Sequence, residues 1–433
     1  MGSRIVFLII LILSVGFFTI NLQKIIANIR MGKKIDRSDH SKKRWLNMIR
    51  VALGQSKMVR RPVAGFLHIL IYVGFIVINI EMIEIIIDGI FGTHRYLSEI
   101  LSNFLYAFLI SSFEILAFLV LLSCVVFLFR RNLLYIKRFR SNELKSWPTT
   151  DANFILIFEI LLMLAFLLMN ASDSILYERK FSYYDVNIVN PISSYFEFFL
   201  VNISNQKLYL FERFCWWFHI IGVLGFLNYV LISKHLHIFF AFPSTYYAKL
   251  DPLGKLDNIP SVTNEVKIML DPNIDPFQKT NSSVDVFGAK DATDLNWVQL
   301  LNAYSCTECG RCTDNCPAHI TGKMLSPRKI LMDTRDRIEE IGYNTRNKIN
   351  DTKSLLGDYI TTEEIWACTS CNACTDACPI ELDPLSIIMD MRRYLVMEES
   401  KAPQELNMMF TNIENNGAPW QFSSDDRLNW KDE

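Results

Sequence analysis

The sequence predicts a mainly α-helical protein in two parts, a five-helix transmembrane bundle followed by a second, cysteine-rich helical domain. Two observations lead to this fold class. Long apolar runs fill residues 1–240, whereas the rest of the 433-residue chain is polar and interrupted by proline and asparagine. Eight of the ten cysteines lie in the polar part, in two runs with the same spacing.

Five segments are long and apolar enough to cross the hydrocarbon core of a bilayer, which takes about 20 residues of helix. The first could be a signal peptide, but its apolar stretch is long, a basic segment follows it, and no small-residue cleavage motif does. We therefore interpret it as a retained helix. The predicted transmembrane helices cover residues 5–22, 62–87, 104–129, 154–169 and 211–232.

The charges of the connecting loops predict the orientation of the bundle, because loops rich in Lys and Arg stay in the cytoplasm. Residues 24–61 contain twelve such residues and 130–145 contain six, whereas 88–103 contains one and 170–210 contains three. The N-terminus is then outside, and everything after the fifth helix is on the cytoplasmic side of a multi-pass membrane protein. Topology accounts for these basic loops, so we expect no nucleic-acid partner.

Both cysteine runs, at 306–317 and 368–379, follow the pattern C-x2-C-x2-C-x3-C-P. Three thiolates at this spacing bind three corners of a 4Fe-4S cluster, and in two-cluster ferredoxins the fourth cysteine binds the other cluster. Zinc sites favour ligands in separated pairs, and disulfides need an oxidising compartment, which the predicted orientation rejects. We predict one cluster held by Cys306, Cys309, Cys312 and Cys378 and a second held by Cys368, Cys371, Cys374 and Cys316.

Three histidines in the apolar half are candidate haem ligands. On one continuous helix, the 18 residues from His219 to His237 make five turns and about 27 Å, so both would face the same way, whereas His235 would face headgroups or solvent. His68 lies at the same cytoplasmic depth as His237, and facing histidines on neighbouring helices suit a bis-imidazole b haem. The alternative is that the histidines only make hydrogen bonds. A second haem would need a partner for His219, expected about ten residues after His68. The residue at that position is Ile78, which cannot bind iron.

Carboxylates inside the predicted spans are the remaining signal, because a buried charge in a membrane is costly and often functional. Glu81, Glu84 and Glu114 fall in the outer halves of the second and third helices. They are candidates for a proton path, because quinol oxidation releases two protons with two electrons. The alternative is that they extend towards the outer headgroups.

The polar half divides into three stretches. Residues 241–292 contain five prolines and predict a linker. Residues 293–400 form the predicted dicluster ferredoxin domain. Residues 401–433 form a tail with two tryptophans, which is either a docking surface or a strap over its own domain. Within the dicluster domain we expect helices near 295–304, 327–341, 361–368 and 384–399.

Residues 1–240 resemble the cytochrome b (gamma) subunit of respiratory nitrate reductase, in which four histidines on two helices bind two b haems. His68, His219 and His237 match three of those ligands, and Ile78 occupies the fourth position. The resemblance therefore implies a cytochrome b-like domain with one haem b and a second in doubt.

Residues 286–419, with the motifs AYSCTECGRC, LSPRK, MRRY and NGAPW, resemble the ferredoxin part of heterodisulfide-reductase-like iron-sulfur oxidoreductases. In that family cysteine-rich CCG domains follow the ferredoxin module, and some members pass electrons between electron-transfer flavoprotein and menaquinone. The resemblance implies a separate CCG-domain iron-sulfur protein as partner, with electron-transfer flavoprotein as a further candidate.

The resulting hypothesis is a membrane electron-transfer subunit that links the quinone pool to a cytoplasmic iron-sulfur or flavin partner. The alternative is a membrane-anchored iron-sulfur scaffold or redox sensor without haem or quinone chemistry. The lack of a discontinuous helix repeat argues against a transporter.

The sequence has no G-x-G-x-x-G, Walker or C-x-x-C-H motif, so nothing indicates a bound dinucleotide, ATP hydrolysis or c-type haem. Catalytic residues for an organic substrate cannot be assigned.

Overall fold

The computed structural model describes residues 2–182, 184, 186, 190–271 and 286–432. It is 72% helical, and the described residues contain no strand, which confirms the predicted fold class. The α-helices are α1 Gly2–Ile29, α2 Ser41–Met48, α3 Pro62–Phe91, α4 Leu97–Ile100, α5 Asn103–Asn132, α6 Trp147–Glu178, α7 Ser194–Leu200, α8 Asn205–Val230, α9 His237–Tyr246, α10 Pro260–Leu270, α11 Trp297–Ser305, α12 Arg311–Asp314, α13 Pro317–Ile320, α14 Pro327–Asn347, α15 Thr362–Ala367, α16 Ala373–Ala377, α17 Pro384–Met397 and α18 Gln404–Asn416.

Helices α1, α3, α5, α6 and α8 are long and apolar enough to cross a membrane. Each is longer than its predicted span. The largest difference is in α6, because the apolar run stops at Met169 while the helix continues through Asn170 and Asp173, which are buried inside the bundle. Hydropathy marks where a helix faces lipid, and polar residues that find partners inside the protein extend the helix beyond that limit.

The five long helices form a ring. Neighbouring pairs are α3 with α5, α5 with α6, and α6 with α8, and α1 closes the ring by packing against both α8 and α3. Gly74 permits the close approach of α3 to α5, because a Cβ atom there would lie 2.4 Å from Cγ2 of Val120. Large apolar side chains such as Ile12 (67% exposed) and Phe104 (82% exposed) cover the outside of the ring. A bilayer would bury this surface.

The fifth span ends earlier than predicted, and this changes the position of the last histidine. Helix α8 ends at Val230, Ser233 adopts an extended conformation (φ −112°, ψ 165°), and a short 3-10 turn at Lys234–Leu236 precedes α9. The hydroxyl of Ser233 accepts a hydrogen bond from the backbone N–H of His235 and caps this turn. The expectation that His219 and His237 share one continuous helix is therefore wrong.

The C-terminal half packs against one end of the ring, which we call the inner end; the opposite end is the outer end. Its core consists of α11, α14 and α17, and it is continuous with Ile25 and Ile29 of α1 and with Phe240 of α9. The four helices expected in this half are all present. Thr361 and Glu364 form the predicted capping box at α15.

The linker and the tail differ in how far they are described. The linker contains helix α10, and its residues 272–285 lie outside the described ranges. The tail contains α18 and leaves Phe422 (69%) and Trp430 (74%) exposed. It is therefore not a strap buried against its own domain.

Candidate metal centres

Ion pairs fix the C-terminal half to the basic loops at the inner end of the ring. They join Arg61 to Asp314 (2.7 Å), Arg60 to Asp376 (2.9 Å), Lys57 to Glu381 (3.2 Å) and Arg328 to Glu143 (2.6 Å). Asp314 and Asp376 lie within the two cysteine runs, and Glu381 follows the second run directly. The same contacts that dock the two halves therefore hold the cysteine loops close to the membrane part.

The first three cysteines of the first run and the last cysteine of the second run line one cavity. Cys306, Cys309, Cys312 and Cys378 contribute to its wall, together with Cys374. All ten cysteines are free thiols. The grouping is compatible with the crossed assignment of the first cluster, which stays a prediction.

Glycine is required in the first cysteine loop. Gly310 has φ 72°, and a Cβ atom there would lie 2.4 Å from Nη1 of Arg328. The Arg328 side chain is fully buried, donates to the carbonyl oxygen of Arg138 (2.9 Å) and pairs with Glu143. The loop between Cys309 and Cys312 thus turns directly over a guanidinium group that is itself fixed to the inner end of the ring.

The second group of cysteines lies around Cys368. Burial raises the pKa of the Cys368 thiol, and the neighbouring Cys316 and Cys371 add to this effect. Arg392 donates to the carbonyl oxygen of Cys368 and so fixes the loop. Cys371 is exposed, whereas Cys316 is buried. The last cysteine of the first run is thus near the second run, which is compatible with the crossed assignment of the second cluster.

The buried thiols would be protonated without iron. Burial raises the pKa of Cys306, Cys374 and Cys378 to about 12 in each case. Because iron binds the thiolate, cluster binding must release these protons. Among the described residues, no group of three or more His, Cys, Asp or Glu side chains is arranged to hold a single metal ion.

At the inner end of the ring the structure brings His68 and His237 together. Their ring centroids are 6.4 Å apart, and the two ring planes are tilted by 43°. Nδ1 of His237 bonds to the carbonyl oxygen of Lys234 (3.0 Å), which leaves Nε2 as the free lone pair. Nδ1 of His68 is buried without a hydrogen-bond partner among the described residues. The two imidazoles are close enough to fit a bis-histidine b haem, which stays a prediction.

His235 lies in the same cluster of imidazoles, with its ring centroid 5.6 Å from that of His237. The expectation that His235 faces headgroups or solvent is wrong, because the chain turns after α8 and directs it inward. Burial lowers the pKa of both His235 and His237. Burial therefore favours the neutral imidazole, which is the form that binds iron.

His219 has different surroundings. It is 2% exposed, its Nδ1 lies 3.1 Å from the carbonyl oxygen of Leu162, and the ring of Phe166 is 5.9 Å away. Ile78 is buried in the core between α3 and α5 and supplies no ligand atom. The residues present at the outer haem position do not fit a bis-histidine haem.

Nearer the outer end, a buried arginine joins two of the ring helices. Arg95 donates to Glu81 on α3 (3.1 Å) and to Asp173 (3.0 and 3.1 Å) and Asn170 (2.6 Å) on α6. Glu81 is 1% exposed. This carboxylate is therefore held inside the bundle and does not extend to the headgroups.

Glu84 and Glu114 are also enclosed. Glu84 accepts hydrogen bonds from the backbone N–H of Leu97 (3.0 Å) and the hydroxyl of Tyr106 (3.3 Å). Glu114 accepts from the side chain of Asn170 (3.0 Å) and from the backbone N–H of Ser193 (3.1 Å). The headgroup alternative is wrong for all three glutamates, and a proton path through them stays a prediction.

A cavity of about 260 Å³ opens beside these carboxylates at the outer end. Its wall includes Glu84, Arg95, Asp173, Glu212 and Trp217, from α3, α6, α8 and the loop after α3. Of the three candidate glutamates, Glu84 lines this cavity directly, whereas Glu81 and Glu114 are not part of its wall.

Sequence reasoning missed Arg95 and Asp173 as members of this network, and it missed Lys234 and Glu308 at the inner end. Arg95 carried a signal, because it is the single basic residue of loop 88–103 and follows two glutamates in a predicted span. Lys234 directly precedes His235, but in the sequence it resembled any other basic residue at the cytoplasmic end of the fifth predicted span.

The chain carries a 4Fe-4S dicluster domain, because residues 305–382 match the model of that domain family. The match covers both cysteine runs. It supports iron-sulfur clusters as the cofactors of the C-terminal half.

The curated relatives belong to redox systems. The chain is 30% identical over 469 residues to the "Probable iron-sulfur-binding oxidoreductase FadF" of Bacillus subtilis, which covers 100% of the chain and 61% of the relative. It is 28% identical to the "EtfAB:quinone oxidoreductase" of Syntrophomonas wolfei, over 92% of the chain and 55% of the relative.

A shorter match, 30% identical, joins 24% of the chain to 53% of one component of the ferredoxin/F420H2-dependent CoB-CoM heterodisulfide reductase of Methanosarcina acetivorans. The chain thus spans little more than half the length of the first two relatives. No solved structure matches it. The relatives support a role in electron transfer at a membrane.

Proposed function

We propose that this chain is a membrane electron-transfer subunit that passes electrons between the quinone pool and a soluble iron-sulfur or flavin partner, through two 4Fe-4S clusters and one b haem. The observation that carries the proposal is the contact between the first cysteine run and the turn that precedes the helix carrying His68. Arg311, between Cys309 and Cys312, donates to the carbonyl oxygens of Lys57 (3.2 Å) and Met58 (3.3 Å), just before the helix that carries His68.

The proposed order of the centres follows from burial. The cluster held by Cys306, Cys309, Cys312 and Cys378 would be the one nearer the haem, and the cluster held by Cys368, Cys371, Cys374 and Cys316 the one nearer solvent. The exposed thiol of Cys371 supports this order, because a soluble partner can approach only an exposed centre. Electrons would pass between partner, second cluster, first cluster and haem, and the ligands do not set the direction.

His68 and His237 would hold the haem, which supplies a one-electron centre within the membrane. The hydrogen bond of His237 to Lys234 orients its imidazole, as a bond from the second nitrogen does for many metal-bound histidines. His219 has no partner histidine in this proposal, so we expect one haem per chain.

Several features of orientation and proton transfer are part of the proposal. We place the N-terminus outside and residues 293–400 on the cytoplasmic side, because the loops at the inner end are the basic ones. Residues 1–240 would form the cytochrome b-like domain, 241–292 the linker and 401–433 the tail. Glu81, Glu84 and Glu114 would exchange protons with the outer cavity.

The partners are proposed from the relatives. The name of the Syntrophomonas relative supports quinone, which we take to be menaquinone, and electron-transfer flavoprotein as reactants. We propose a CCG-domain iron-sulfur protein as the soluble partner, because the resemblance of residues 286–419 to heterodisulfide-reductase-like oxidoreductases implies one; the Methanosarcina relative is, by its printed name, one subunit of such a reductase.

A reduced-minus-oxidised absorption spectrum of the purified protein tests the haem, and a menaquinol analogue tests the quinone link. We expect a b-type α band that a menaquinol analogue also produces. His68→Leu should abolish the band, whereas the control His219→Leu, at the outer position, should keep it. Clusters without any b-type band and without reduction by quinol would contradict the proposal and favour a membrane-anchored iron-sulfur scaffold or sensor.

A further inference from the structure

Lys234 connects the first cysteine loop to the proposed haem ligand. It lies in the turn between α8 and α9, and its side chain is 12% exposed. Its Nζ donates to Oε2 of Glu308 (2.7 Å), and its carbonyl oxygen accepts the bond from Nδ1 of His237 (3.0 Å). Lys234 therefore contacts both the first cysteine loop and the proposed haem ligand, and electrons must pass between these two groups.

Glu308 is built into the first cysteine loop. It lies between Cys306 and Cys309 in the left-handed conformation (φ 57°) and is 6% exposed. Lys234 (2.7 Å) and Arg335 (3.0 Å) both pair with its carboxylate, and hydrogen bonds between charged groups are stronger than those between neutral ones.

The Lys234 side chain and backbone are both fixed. Nζ also donates to the carbonyl oxygen of Pro148 (2.7 Å), and the backbone N–H donates to Oδ2 of Asp151 (3.2 Å). The other oxygen of Asp151 accepts from the hydroxyl of Tyr229 (2.6 Å). A lysine held at three points cannot shift without moving Glu308 or His237 with it.

The other ion pairs between the two halves lack this second contact. Lys57 pairs with Glu381 at 3.2 Å and is about as buried as Lys234, with 15% of its side chain exposed. No hydrogen bond described for Lys57 or Glu381 reaches His68 or His237. Lys57 can therefore dock the C-terminal half but cannot orient an imidazole.

We propose that Lys234 is a positioning residue that sets the geometry between the first cluster and the haem, through Glu308 on one side and His237 on the other. This inference rests on the proposed function, since it requires both centres. The step itself moves one electron between a reduced 4Fe-4S cluster and a ferric haem, so no bond or proton changes at Lys234. Its role is to hold both ligand groups in place.

The test compares Lys234→Met, Lys234→Arg and Lys57→Met in the full-length membrane protein. The methionine keeps the apolar stem of lysine and removes the ammonium group. The measurements are the absorption and EPR spectra of the haem, the EPR spectra of the two clusters, and the rate at which reduced clusters reduce the haem. Glu308→Gln is a second variant that breaks the same ion pair and leaves Lys234 in place.

We expect Lys234→Met and Glu308→Gln to change the haem EPR spectrum and the first-cluster signal together, with the second-cluster signal unchanged. Haem reduction should slow by roughly tenfold, which corresponds to a barrier change of about 1.4 kcal/mol. Lys234→Arg should restore both readouts, and Lys57→Met should match the native protein.

Three results would count against the inference in different ways. A native protein without a b-type spectrum would overturn both the proposed function and this inference. A native protein with haem, together with Lys234→Met and Glu308→Gln variants that keep native spectra and rates, would overturn the inference alone. Equal effects of Lys57→Met and Lys234→Met would also overturn it, because docking would then be the whole role of Lys234.

Discussion

Replacement of Arg95 by methionine is the sharpest test of the buried network near the outer end. Arg95 is 5% exposed and neutralises Glu81 and Asp173, which are 1% and 2% exposed. Methionine fills similar space but supplies no donor, so four hydrogen bonds disappear, Glu81 loses its cation, and Asp173 is left with its contact to His94 (3.4 Å). We expect a large loss of bundle stability.

The size of the expected loss in the free energy of unfolding follows from the burial of the two carboxylates. Removing one partner of a buried ion pair costs about 3–5 kcal/mol, because the remaining charge stays in a medium that solvates it poorly. The matched control is Arg60→Met, which removes the pair with Asp376. Both of those side chains are about half exposed (51% and 50%), and exposed pairs contribute about 0–1 kcal/mol. The two variants should therefore differ by about 2 kcal/mol or more in the free energy of unfolding.

Unfolding in mixed detergent micelles, followed by circular dichroism, measures this difference. Asp173→Asn in the Arg95→Met background should recover part of the loss, because it removes one of the two buried carboxylates that have lost the guanidinium group of Arg95. The reasoning would be refuted if Arg95→Met were as stable as Arg60→Met. It would also be refuted if Asp173→Asn destabilised the Arg95→Met protein further.

Two further predictions concern the cysteine loops. Cys316→Ser should perturb the EPR signal of the second cluster and Cys378→Ser that of the first, and the opposite pattern would reject the crossed assignment. Gly310→Ala should lose first-cluster iron, because its Cβ atom would approach Arg328 within 2.4 Å. Gly322→Ala, also at positive φ but with no atom within 4 Å, should cost only about 1–2 kcal/mol of backbone strain and keep its iron. Equal iron loss in both glycine variants would show that the contact with Arg328 is unimportant.

The sequence by itself determined the features that depend on neighbouring residues. Apolar runs of about 20 residues located the five spans, because a helix is the segment that satisfies its own backbone in lipid. Thr361 and Glu364 marked the start of α15, because a capping box is complete within four residues. The cysteine spacing pointed to iron-sulfur chemistry for the same local reason, and the dicluster match confirms it.

The tertiary structure decided the contacts between distant residues. Arg95 meets Asp173 across 78 positions and Lys234 meets Glu308 across 74, and neither pair follows from periodicity on one helix. The break at Ser233, which brings His235 and His237 together, depends on a cap and on the packing of α9 against α11. Local propensity is set by a few adjacent side chains, whereas these contacts form only when separate helices pack, so the sequence could predict candidate metal ligands but not the residues that position them.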